Sequence, residues 1–145
     1  MSDKIQDELE IRDLVARYSD AVNRNDEEAW RDTWAEDCVW NMMGNAFEGR
    51  DTVVNIWRGA MGTFEYALQL VHSGVLEIEG DEARGRWTLT ELARPKGGSP
   101  GMMIALYHDL YRRTSEGWRF GSRRLEVVYQ GPPDLSGSYT APGRA

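Results

Sequence analysis

Apolar residues recur every three or four positions early in the chain, where Ile11, Leu14, Val15, Tyr18 and Val22 form one stripe. That spacing predicts a helix beginning after Ser2, with the stripe turned to a core. Asn25, followed three residues later by Glu28, reads as a capping box that opens a second helix carrying Ala29, Trp30, Thr33 and Trp34. Cys38 to Met43 reads as a short strand running into a turn from Gly44 to Gly49. Asp51 then caps a third helix, on which Val53, Val54, Ile56, Trp57, Ala60 and Met61 keep helical spacing until Gly62 stops it.

From Tyr66 the period changes to two. Leu68, Leu70, His72, Gly74, Leu76 and Ile78 alternate with Gln69, Ser73, Glu77 and Glu79, which share their face with Val71 and Val75, so strict alternation points His72 to the apolar interior. After a turn at Gly80-Asp81, Ala83, Gly85, Trp87, Leu89, Glu91 and Ala93 share one face of the next strand, which puts Glu91 on the apolar side. A glycine- and proline-rich connection, Pro95 to Gly101, leads to a strand from Met102 to Arg113 whose two faces period alone does not rank. The turn at Glu116-Gly117 starts a last strand, Trp118 to Tyr129, with Gly121 as a bulge or bend. Three helices with one short strand among them, then four hairpin-connected strands, describe an α+β domain with its helices on one face of a curved sheet. Residues 1–130 form that domain, and 131–145 are a Pro/Gly/Ser-rich tail, either disordered or an ordered strap.

Composition narrows the function. A net charge of −7 repels a phosphate backbone and argues against nucleic acid. No apolar run reaches the roughly 20 residues of a membrane span, and the polar start does not read as a signal peptide, so a cytoplasmic protein is expected. The single cysteine, Cys38, makes no intrachain disulfide and reads as a small buried hydrophobe. With no HxH, HExxH or CxxC and only two histidines, no metal site is expected. Six Trp, six Tyr and six Met suit a pocket for an apolar or ring-shaped molecule, although core packing accounts for most such residues.

The candidate chemistry lies where polar groups fall on apolar faces. A lone inward histidine is more often packed than catalytic, but Glu91 on the neighbouring strand is costly to bury alone and is within plausible reach of His72. Tyr18 brings a hydroxyl to the inward stripe of the first helix, and Asn23 follows near its end. The plain alternatives are an ion pair of Glu91 with Arg123, a core tyrosine, and a helix-terminal asparagine. Asp20 reads as solvated, and His108 is balanced between an exposed face and a pocket.

These residues carry a resemblance. IRDLVARYSDAVNRNDEEAW, FEGRDTVVNIW, LVHSGVLEIEGDEARGRWTLTE and ALYHDLYRRTSEGWRFGSRRLEVVY are similar to the SnoaL-like branch of the nuclear transport factor 2-like superfamily, from about Ile11 to Tyr129. The resemblance implies a cone-shaped α+β barrel whose curved sheet and helices enclose a pocket. Its nearest members include scytalone dehydratase, a bile-acid dehydratase and hexachlorocyclohexane dehydrochlorinase, in which a strand histidine is the general base. His72 in LQLVHSG stands at the matching position. Tyr18 and Glu91 match a functional tyrosine and an acidic residue, Arg123 matches a pocket arginine, and Tyr107 matches a pocket position. Trp40, Trp57, Trp87 and Asp109 are further candidates to line the pocket.

Where those relatives carry an aspartate that pairs with the histidine, this chain has Asn23. An amide oxygen accepts the imidazole N–H but does not stabilise an imidazolium as a carboxylate does. The expectation is a cofactor-free elimination on a hydrophobic cyclic, polyketide-, aromatic- or steroid-like substrate, with His72 as base and Tyr18 or Glu91 as acid. The alternatives are a ketosteroid-isomerase-like reaction with Glu91 as base, or a non-catalytic binding domain. The resemblance also implies a homodimer or homotrimer assembled through the exposed side of the sheet.

Overall fold

A computed structural model describes residues 3–143. Helix α1 spans Lys4–Arg24; Asp3 caps it by accepting from the Ile5 N–H at 2.9 Å, and Ile11, Leu14, Val15, Tyr18 and Val22 are all buried along it. The helix ends at Asn25, which adopts a left-handed φ of 52°. The second cap is therefore Asp26, whose carboxylate accepts from the Ala29 N–H, and not Asn25. Helix α2 (Glu27–Arg31) is a single turn and a half, shorter than its periodicity suggests. Thr33 leaves it, and Trp34 opens strand β1 (Trp34–Met42), which begins four residues earlier than the pattern alone indicates.

The Gly44 to Gly49 turn holds a strand of its own, β2 (Asn45–Glu48), paired antiparallel to β1. Helix α3 (Arg50–Met61) starts from Gly49 at φ 88°, so Asp51 lies in its first turn and is not the cap. Strands β3 (Phe64–Glu79), β4 (Glu82–Pro95), β5 (Gly101–Thr114) and β6 (Gly117–Gly131) form an antiparallel meander. Strand β1 joins β6 in parallel, which gives the order β2-β1-β6-β5-β4-β3. The tail is ordered through a short β7 (Ser138–Tyr139) paired on β6, and Gly143 N–H reaches Glu126 at 2.8 Å. The last two residues of the tail lie outside the described range.

The sheet is strongly curved over the helices but open, since β2 and β3 are its unjoined edges; it is a cone and not a closed barrel. Gly121 is the expected bulge, left unpaired between Phe120 and Ser122 against Leu110 and Tyr111. A second bulge has larger consequences. In β3, Val71 pairs with Leu89 and Gly74 with Trp87, so His72 and Ser73 together oppose one residue of β4. Alternation therefore changes phase there: Ala67, Gln69 and Val71 face inward before it, and Gly74, Leu76 and Ile78 after it. Gly74 admits no side chain, because a Cβ would fall 2.2 Å from the Trp87 ring.

Aromatic rings fill the interior. Trp30 stacks on Trp57 with centroids 4.6 Å apart, and Trp34, Trp40 and Tyr18 surround Trp30 at 5.4 to 5.5 Å. Cys38 is fully buried beside them, and burial pushes its thiol up to about 11.

Candidate functional site

Helix α1 and the inward faces of β3, β4 and β5 bring a set of polar side chains together at one end of this core. Glu91, on the inner face of β4, accepts from Gln69 Nε2 at 2.9 Å. Gln69 is buried on β3, and the Ser19 hydroxyl donates to its Oε1 at 3.5 Å. Because β3 is an edge strand, its outward backbone groups have no strand partner. Asn23 supplies one, accepting from the Gln69 N–H at 2.6 Å and donating to the Gln69 carbonyl at 3.1 Å. Deeper in, the Tyr18 and Tyr107 hydroxyls meet at 3.4 Å.

Burial pushes the Glu91 carboxyl above the usual glutamate value, with the Gln69 hydrogen bond opposing it. Among the described residues no arginine, lysine or histidine forms an ion pair with it. Arg123, its expected partner, is committed elsewhere. Its Nε and Nη2 donate to Asp109 at 2.7 and 3.1 Å in a pair with no solvent exposure on either side. Asp109 also accepts from the Tyr111 hydroxyl at 2.6 Å, which in turn accepts from the Trp87 indole at 2.8 Å. The guanidinium lies 3.7 Å from the Tyr107 ring centroid and 4.3 Å from that of Tyr18. Burial raises both phenols, so they remain protonated donors at neutral pH.

Six of the residues singled out from the sequence thus converge: Tyr18, Asn23, Glu91, Tyr107, Asp109 and Arg123 share one hydrogen-bonded and stacked group. Trp87 joins it through Tyr111, while Trp40 and Trp57 are spent in the aromatic cluster.

His72 does not join it. The bulge turns it to the outer face of β3, where it is exposed and its Nε2 lies 2.8 Å from the Thr90 hydroxyl. What Asn23 holds is the backbone of Gln69, three residues earlier. His108 is also on the outer face, paired with Glu126 at 2.8 Å. Gln69, Ser19 and Tyr111 are the members that the sequence pattern alone did not single out. The signal for Gln69 was Val71, an apolar residue on what strict alternation made a polar face, which marks a change of phase between it and the apolar Leu76 and Ile78.

Glu91 lines a cavity of about 230 Å³ together with Phe64, Ala93, Met102, Met103 and Gln130 among others. Among the described residues no three His, Cys, Asp or Glu side chains are grouped as metal ligands. The arrangement offers one carboxyl group able to take and return a proton at an apolar cavity, backed by a buried amide and two phenols.

Residues 3–124 match the SnoaL-like domain family. In fold the chain is similar to LinA, at 22% identity over 97% of each chain, with a TM-score of 0.83. It is similar to a LinA-type3 hexachlorocyclohexane dehydrochlorinase from Novosphingobium barchaimii at 19% identity over 97% of each chain, with a TM-score of 0.82. A scytalone dehydratase-like protein from Novosphingobium aromaticivorans matches at 20% identity over 98% of this chain and 97% of its own, with a TM-score of 0.84. At such identities the likeness is one of fold. No curated protein matches the chain in sequence.

Proposed function

The chain belongs to the SnoaL-like domain family, and from that premise we propose that it is a cofactor-independent lyase in which Glu91 is the proton-transferring group. The observation that carries the reading is Glu91 itself: a carboxyl without a cationic partner among the described residues, at an apolar cavity, with its proton affinity raised by burial. A carboxyl shifted upward is better matched to accept a proton from carbon and to give it back.

In the proposed step, ionised Glu91 removes a proton from the carbon next to a carbonyl. The electrons of that C–H bond form a double bond as the C–O bond to a neighbouring hydroxyl breaks, and the leaving oxygen takes the proton from Glu91 and departs as water. One carboxyl serves both halves, so the elimination is syn and Glu91 ends ionised. Gln69 holds the carboxyl in place, and the Tyr107 hydroxyl, paired with that of Tyr18, is close enough to feel the charge of Glu91. The names of the dehydrochlorinase and dehydratase among the similar structures support elimination over other outcomes. If the proton returned to carbon instead, the reaction would be an isomerisation, and the product mass separates the two. Glu91→Gln tests the reading: product formation is lost while ligand binding remains.

Binding without turnover is a second reading, favoured by Asn23 and Gln69. Where the family resemblance implies a carboxylate paired with an imidazole, this chain sets the Asn23 side-chain amide against the backbone of Gln69, and neither group of that contact accepts a proton at neutral pH. A ligand recovered unchanged after prolonged incubation would support it.

A further inference from the structure

The cavity that Glu91 lines is backed by packed side chains. Behind Glu91 stand Gln69 and Tyr107, at 6% and 3% exposure, and fully buried Ala105 and Leu89. Met103 pairs with Glu91 across the β4–β5 ladder and is 8% exposed, so its side chain borders the carboxyl on the same inner face. Much of the rest of the interior is filled by the cluster of Trp30, Trp34, Trp40 and Trp57. What is left measures about 230 Å³. Drug-sized ligands occupy roughly 300–1,000 Å³, whereas a cavity of about 150 Å³ holds a benzene ring.

We infer that this site takes small carbonyl compounds with one ring or an equally short chain, that it excludes fused-ring and steroid-sized bodies, and that Met103 sets its depth. The inference rests on the reading of Glu91 as the reacting group only for where the carbonyl is placed. Phe64, Met102 and Met103 supply a soft apolar wall, and Glu91 is the ionisable group in the lining. Truncating Met103 to alanine removes everything beyond Cβ and joins that volume to the cavity.

The test is a titration followed through the methionine methyl resonances of the full chain, with cyclohexanone and α-tetralone as probes. Cyclohexanone is expected to shift the Met102 and Met103 methyls saturably. The fused-ring ketone should bind at least about tenfold more weakly, the discrimination a snug apolar wall gives against added carbon. In Met103→Ala, α-tetralone should gain about tenfold while cyclohexanone changes little or weakens. Met103→Leu, which conserves volume, should keep the wild-type ranking and needs no enlarged cavity to fold. Equal binding of the two ketones to the wild-type protein, or cyclohexanone leaving both methyls unmoved, would overturn the inference. Turnover is not read in this experiment, so retained activity in Glu91→Gln would remove the acid–base reading and leave the size limit standing.

Discussion

Asn23 grips Gln69 from both sides of one residue, taking its N–H at 2.6 Å and giving an N–H to its carbonyl at 3.1 Å. The contact closes the edge of β3 with a side chain in place of another strand, and it ties the end of α1 to the residue that holds Glu91. Asn23→Leu removes both bonds. With Asn23 itself facing solvent, the expected loss is about 1–2 kcal/mol in urea unfolding. Asn23→Asp, which keeps the acceptor and loses the donor, should fall between. A loss near zero in both variants would mean that the edge does not depend on this clamp.

The Asp109–Arg123 pair predicts a larger effect. Asp109→Ala leaves a guanidinium buried with no counter-charge, and breaking a buried pair from one side costs about 3–5 kcal/mol. Tyr111→Phe removes one donor to Asp109 and the acceptor of Trp87, and should cost about 1–3 kcal/mol. Denaturant midpoints of the two variants check the ranking.

His72 and Gly74 lie two residues apart with opposite expectations. His72→Ala changes an exposed side chain and should move stability by no more than about 0.5 kcal/mol and leave turnover within about twofold. Gly74→Ala forces a Cβ into the Trp87 ring and should be markedly destabilising, about 1–3 kcal/mol as overpacking. A large loss of activity in His72→Ala with the fold intact would show that the outer face takes part in the chemistry.

The helical stripe of α1, the hairpin order and the inward face of β4 were legible from period alone, because α1 and β4 each keep one phase wherever they meet the core. The phase of β3 was not. The bulge at His72 and Ser73 is a backbone event, fixed by the contact of Gly74 with Trp87 from a strand thirteen residues on, and no local pattern carries it. Glu91 was legible as a carboxylate on an apolar face, and Tyr18 as a hydroxyl on an apolar stripe. The partner of Glu91 was not, since Gln69 becomes inward only once the phase of β3 is known. The choice of Asp109 over Glu91 by Arg123 is set by the β5–β6 register, in which Asp109 and Arg123 are directly opposite.

Glu91 also ties stability to pH. Its folded-state affinity for a proton is raised, so between the ordinary glutamate value and the raised one the folded state holds more protons than the unfolded chain. Stability should therefore fall as pH rises through that window. Glu91→Gln should flatten this part of the profile, as seen in unfolding midpoints measured across it.

Whether Glu91 moves the proton is measured most directly by turnover of a small β-hydroxy carbonyl substrate, comparing wild-type protein with Glu91→Gln and reading product mass alongside binding. The wild type is expected to remove one water from the substrate, and the variant to do so at a rate at least about 10²-fold lower with binding retained. Glu91→Gln turning over at the wild-type rate would contradict that role.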